Sequence, residues 1–105
     1  MKYNSLLPIG SVVRVQGSEA LLLVTGTNVS DPAGNIYDYQ ACFYPVGFLS
    51  EDQLAAFNHT DIEEIYAVGY LDEESRDFQR QAQELNQYLR DREKEKAERG
   101  NGSED

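Results

Sequence analysis

Two hydrophobic periodicities divide the chain. From about residue 6 to 71, β-branched and aromatic residues come in short runs broken by turn formers. From Asp72 onward, apolar residues return every three or four positions within a background of Glu, Arg, Gln and Lys. In the first region, Val12, Val13 and Val15 predict a strand over Ser11–Gln16, with Gly17-Ser18 as the turn after it. Leu21-Leu22-Leu23-Val24 is an unbroken apolar run, the pattern of a strand buried on both faces. Gly26 to Gly34 gathers Asn28, Ser30, Asp31 and Pro32 and predicts a turn or loop. Tyr37, Tyr39, Ala41 and Phe43 then alternate with Asp38 and Gln40. That is the period-2 signature of a strand with one dry and one wet face.

Pro45 and Gly47 end this strand. Ser50 with Gln53 three residues on predicts a capping box and a short helix running to about Phe57. Asn58–Ile62 reads as a tight turn, and Glu64–Tyr70 as a fourth strand ending near Gly69. These elements predict an α+β fold: a small, strongly bent antiparallel sheet or an SH3-like barrel, followed by a long C-terminal amphipathic helix. The expected organisation is a β-rich domain over residues 6–71, a helix over 72–99 attached to it, and a disordered tail over 100–105.

In the helix, Asp72, Glu73 and Glu74 favour the positive end of the dipole. Phe78, Ala82, Leu85 and Leu89 recur at spacings of four, three and four, with Tyr88 beside them, and form one apolar stripe. Two outcomes are open for that stripe. It folds back to cover its own sheet, or it docks against helices of a partner through i, i+4 and i+7 anchors. Residues 90–99 read as a solvated, charge-alternating continuation.

Composition narrows the function class. Nineteen acidic residues against nine basic ones give a net charge of −10. Such a surface repels phosphates and anionic lipid, so nucleic acid is not expected and a neutral or basic protein partner is. No run approaches the roughly 20 apolar residues of a membrane span, and no apolar stretch suits a signal peptide, so the expected location is the cytoplasm. Catalytic chemistry is hard to assemble. His59 is the sole histidine, Cys42 the sole cysteine, no metal-ligand spacing occurs, and no glycine-rich phosphate loop is present. We therefore expect no enzyme, no metal and no cofactor, with His59 bracing the turn before the last strand and Cys42 packing as a small hydrophobe. Tyr44, Phe48, Tyr66 and Tyr70 are difficult to bury together in so small a domain. They join Phe78, Ala82, Leu85, Tyr88 and Leu89 as candidate partner-binding residues.

Three segments carry a resemblance: Leu7-Pro8-Ile9-Gly10-Ser11-Val12-Val13; Tyr37-Asp38-Tyr39 with Tyr44-Pro45 and Gly47; and Phe57-Asn58-His59-Thr60-Asp61-Ile62-Glu63-Glu64 ending at Gly69-Tyr70. In this order and spacing the chain, over about residues 6–78, resembles a family of small domains of unknown function from Gram-positive bacteria. Its members are typically encoded beside LXG toxins of type VII secretion. The resemblance implies an accessory role: a cytosolic chaperone or targeting factor that holds the helical export domain of a secreted toxin. It implies no catalytic residues, and Tyr39, Pro45, Asn58, His59 and Asp61 as positions that define the fold. The alternative role is an immunity protein that blocks the toxin domain, for which an acidic surface is suited when the toxin is basic.

Overall fold

The computed structural model describes residues 4–102, with side chains through residue 97. Five strands form a single antiparallel sheet: β1 (Val12–Val15), β2 (Leu21–Ser30), β3 (Ile36–Tyr44), β4 (Ala55–Phe57) and β5 (Ile62–Ala67), in spatial order β4-β3-β2-β1-β5. The order leaves β4 and β5 as separate edges, so the sheet is open and not a closed barrel. One long helix, α1 (Glu73–Gly102), follows it. The fold is α+β.

Three strands differ from the expectation; β5 runs over Ile62–Ala67 rather than Glu64–Tyr70, and the other two departures are larger. β2 does not stop at Val24. It continues through Gly26 and Asn28 to Ser30, with a bulge between Val24 and Gly26 and Asn28 in the left-handed region at φ 54°. Residues that read as turn formers serve here to bend a long strand. The true turn is confined to Asp31–Asn35, where the Asp31 carboxylate accepts the Asn35 amide at 2.9 Å and its side-chain N–H at 3.0 Å. The second difference follows Ser50. Only Glu51–Gln53 form a single 3-10 turn, Ser50 makes no side-chain cap, and Ala55–Phe57 pair with β3 as an edge strand. A capping box does form, but at the next 3-10 turn (His59–Asp61), where the Asn58 N–H donates to the Asp61 carboxylate at 2.9 Å.

The core lies on one side of the sheet. Val13 pairs with both Leu22 and Ile65, Val24 with Ala41, and Tyr39 with Phe57, so these side chains share a face. Leu21–Val24 alternates between half-buried and buried positions, which corrects the reading of a strand buried on both faces. Leu6 and Leu7 complete the core. Their segment is held by three groups. Gln83 accepts the Leu6 N–H at 2.7 Å, Gln79 donates to the Leu6 carbonyl at 2.9 Å, and the Tyr39 hydroxyl accepts the Leu7 N–H at 2.8 Å. The chain returns to this segment after β5. Gly69 donates its N–H to the buried Ser11 hydroxyl at 2.9 Å, and a Cβ at Gly69 would stand 2.0 Å from the Ile9 carbonyl oxygen. Only glycine permits that approach.

Asp38 overturns the reading of a dry and a wet face. It is 7% exposed although it alternates with Tyr37 and Tyr39, whereas Phe43, expected on the dry face, is 40% exposed. The reason is α1. Arg90 reaches the Asp38 carboxylate at 2.7 Å, Asn86 donates to the same oxygen at 2.7 Å, and the His59 N–H donates to the other at 2.8 Å. Arg90 also donates to the Asn58 side chain at 2.6 Å and the Ile36 carbonyl at 3.4 Å. This buried polar clamp ties the helix to β3 and to the turn before β5. Arg90 is therefore not part of a solvated continuation. The predicted disordered tail is helical through Gly102, and its residues 103–105 lie outside the described residues.

Burial alone would push the Asp38 carboxyl pKa up. The His59 amide, Arg90 and Asn86 outweigh it and hold the pKa below the usual carboxylate range. A folded-state pKa below the unfolded value of about 3.9 means that the stabilisation is complete above that pH. It is lost as pH falls through the folded pKa. Urea melts between pH 7 and acid should show the wild type losing its advantage over Asp38→Asn at the acid end; a constant gap would contradict the clamp. Arg90→Leu leaves a buried carboxylate without its cation and should cost about 2–3 kcal/mol at neutral pH, at the low end for such pairs because Arg90 is partly exposed. Ending the chain after residue 97 should leave the melting temperature nearly unchanged. Ending it after Leu85, which removes Asn86 and Arg90, should cost at least as much as Arg90→Leu.

Candidate partner-binding surface

The rotation of α1 decides which of its side chains are free. Asp72 and Ser75 cap its start reciprocally: the Ser75 N–H donates to the Asp72 carboxylate at 2.8 Å and the Asp72 N–H to the Ser75 hydroxyl at 2.7 Å. Hydrogen bonds from the Ser75 backbone and side chain lower the Asp72 pKa. Beyond the cap, Gln79, Ala82, Gln83, Asn86, Leu89 and Arg90 turn toward the domain. Most of that inward face is polar, and its hydrogen bonds to Leu6, Asn28 and Asp38 replace apolar packing. Ala82 is the one fully buried apolar side chain of the helix among the described residues, at 4% exposure.

The predicted stripe is thereby split. Ala82 is in the core and Leu89 is half-buried, so neither offers a free docking surface. Phe78, Leu85 and Tyr88 stay exposed at 52%, 47% and 56%. The cause is geometric. Successive residues turn by about 100°, and a face centred on Gln79, Asn86 and Arg90 carries Ala82 and Leu89 inward while leaving Phe78 and Leu85 at its margin. Arg92 extends the exposed row, its guanidinium 5.8 Å from the centroid of the Tyr88 ring. Beside the row, a concavity of about 630 Å³ opens between Ile36 at the start of β3 and Tyr88, Leu89 and Arg92 of the helix.

The other candidates fall into two further patches. Tyr44 is the last residue of β3 and Phe48 lies in the connection after it, together with exposed Val46 and Leu49, which the sequence reading did not single out. That loop holds a cis Tyr44–Pro45 peptide, and its Gly47 N–H donates to the Phe43 carbonyl at 2.7 Å. The signal was available: Val46, Phe48 and Leu49 are large apolar residues in a segment with no strand or helix periodicity to bury them. Tyr66 and Tyr70 lie with Val68 at the end of β5, where Arg14 donates to the Tyr66 hydroxyl at 3.3 Å. β2 and β1 separate this patch from β3, so the tyrosines do not converge on one site.

His59 and Cys42 are built into the fold. His59 Nδ1 lies 2.7 Å from the Tyr39 hydroxyl, which accepts the Leu7 N–H and so has its own hydrogen free for the ring. Cys42 is a buried free thiol. Among the described residues, no three His, Cys, Asp or Glu side chains converge in a way that could hold a metal ion, and no helix is long and apolar enough to cross a membrane.

One residue from each resembling segment meets at the Tyr39 hydroxyl: Leu7, Tyr39 itself and His59. Asp38 and Asn58 tie the second segment to the third, and Ser11 and Gly69 tie the first to the third. These contacts join the three segments within this chain. No curated protein and no solved structure matches the chain. A family model does match, over residues 6–78, from the segment beneath the sheet to Phe78 in the second turn of α1. The chain belongs to the family described as Domain of unknown function (DUF4176).

Proposed function

We propose that this protein is a non-enzymatic, cytoplasmic accessory protein, an export chaperone or targeting factor that binds the helical export region of an LXG toxin of type VII secretion. The observation that carries the reading is the state of α1. Its polar face fastens it to its own domain, and Phe78, Leu85 and Tyr88 remain in water on the other side. A helix held rigidly with an apolar row outward suits helix-to-helix recognition, because the cost of ordering it is met before the partner arrives. The tie to LXG toxins comes from the resemblance of the three segments. The acidic surface also suits an immunity protein, and capture of different parts of a toxin separates the two roles.

The test is co-purification with the separate halves of an LXG toxin encoded beside the gene. The proposal expects capture of the N-terminal helical half, and loss of capture with the Leu85→Gln/Tyr88→Gln variant while its melting temperature stays within a few degrees of wild type. Capture of the toxin domain alone would identify an immunity protein. Failure to capture either half, with the protein folded, would remove the toxin reading altogether.

A further inference from the structure

The exposed row has an edge of one charge. Phe78, Gln81, Leu85, Tyr88 and Arg92 follow one another at spacings of three, four, three and four, the a/d repeat of a coiled-coil seam. From Phe78 to Arg92 this seam is roughly 21 Å long at about 1.5 Å per residue. Asp77, Glu84 and Asp91 recur every seven residues along the side of the seam that faces away from the sheet, and all three are exposed. Asp77 pairs with Arg80 and Asp91 accepts from Gln87 at 3.0 Å, both within the helix, and Glu84 has no ion pair among the described residues. The opposite side of the seam carries Ala82, buried in the domain, and half-buried Leu89, which lines the concavity beside Ile36. A partner helix laid on this seam therefore meets the sheet on one side and a line of carboxylates on the other.

The geometry points to a single amphipathic helix as the occupant, with apolar residues at heptad spacing and lysine or arginine at the positions flanking them on the side of Asp77, Glu84 and Asp91. This deepens the proposed function by naming the chemistry of the partner, and it rests on that reading only for the partner's identity. Charge also excludes a second copy of this chain. Paired antiparallel, two copies would set Asp77, Glu84 and Asp91 against the same three carboxylates. Paired parallel, the acidic edge would face the side that the partner's own sheet occupies, and each copy carries a net charge of −10. A basic flank meets neither obstacle. It would place its cations on the acidic edge and its seam on Phe78, Leu85 and Tyr88, with room for a side chain in the concavity beside Leu89.

Two synthetic stapled helices test this against the full-length protein by fluorescence anisotropy: one with leucine at the seam and lysine at both flanks, the other with glutamate at the flanks. The lysine-flanked helix should bind, more weakly as salt rises, and the glutamate-flanked helix should not. Asp77→Lys/Glu84→Lys/Asp91→Lys should weaken the lysine-flanked helix by roughly tenfold and admit the glutamate-flanked one. The triple variant Glu19→Lys/Glu51→Lys/Asp52→Lys has the same net charge and alters exposed positions away from α1, so it should keep the wild-type preference. Equal weakening by both triple variants would reduce the effect to net charge and overturn the inference, as would equal binding of the two helices. A toxin half captured equally well by the Asp77, Glu84 and Asp91 variant would overturn this inference and leave the proposed function standing. Inverted helix preference without toxin capture would do the reverse.

Discussion

The ion pair between Asp38 on β3 and Arg90 on α1 is the constraint on which the arrangement of this protein depends. A carboxylate that is 7% exposed is tolerable only with a cation and hydrogen-bond donors around it. The donors come from three places: the guanidinium and the Asn86 amide of the helix, and the His59 N–H of the turn before β5. Satisfying this one group fixes the rotation of the helix, its height on the sheet and the seat of the 58–61 turn together. A different helix rotation would bury Phe78 and Leu85 but strand the Asp38 carboxylate, so the apolar gain is opposed by the cost of an unpaired charge.

This conflict explains why the existence of the helix was legible in the sequence while its orientation was not. Phe78, Ala82, Leu85 and Leu89 have spacings of four, three and four; so do Gln79, Gln83, Asn86 and Arg90, one residue further on. Both sets mark a face, about 100° apart. Hydropathy chooses the first as the buried one, because a polar face is ordinarily a wet one. It cannot register that Asp38, in a strand that also alternates, requires the second. The same blindness hid the far half of β2, where Gly26 and Asn28 make a bulge and a left-handed residue within a ladder, and β4, whose three residues are too few to show a period. The turn at Asn58 was legible because its chemistry is local, with a cap and its carboxylate three residues apart.

The candidate surface was partly legible. Exposure of Tyr44, Phe48, Tyr66 and Tyr70 followed from having more aromatics than one small core accepts. The three segments that carry the resemblance meet around Tyr39 and at the contact of Ser11 with Gly69. The matched region ends at Phe78, before Asn86, Arg90 and most of the exposed row. In this chain the sheet and its anchor Asp38 lie within the family match, while the part of α1 that answers Asp38 and offers Leu85 and Tyr88 lies beyond it.

In the free protein α1 is fixed by its polar face with its apolar row outward. Solvent paramagnetic relaxation of methyl resonances reads this directly, because a soluble relaxation agent broadens only the methyl groups it can approach. Strong relaxation is expected for the Leu85 methyl groups and little for those of Ala82, Leu22 and Val24. Leu85 methyl groups as protected as Ala82 in the monomer would contradict it, because the stripe would then be packed on its own sheet and the outward row would not exist.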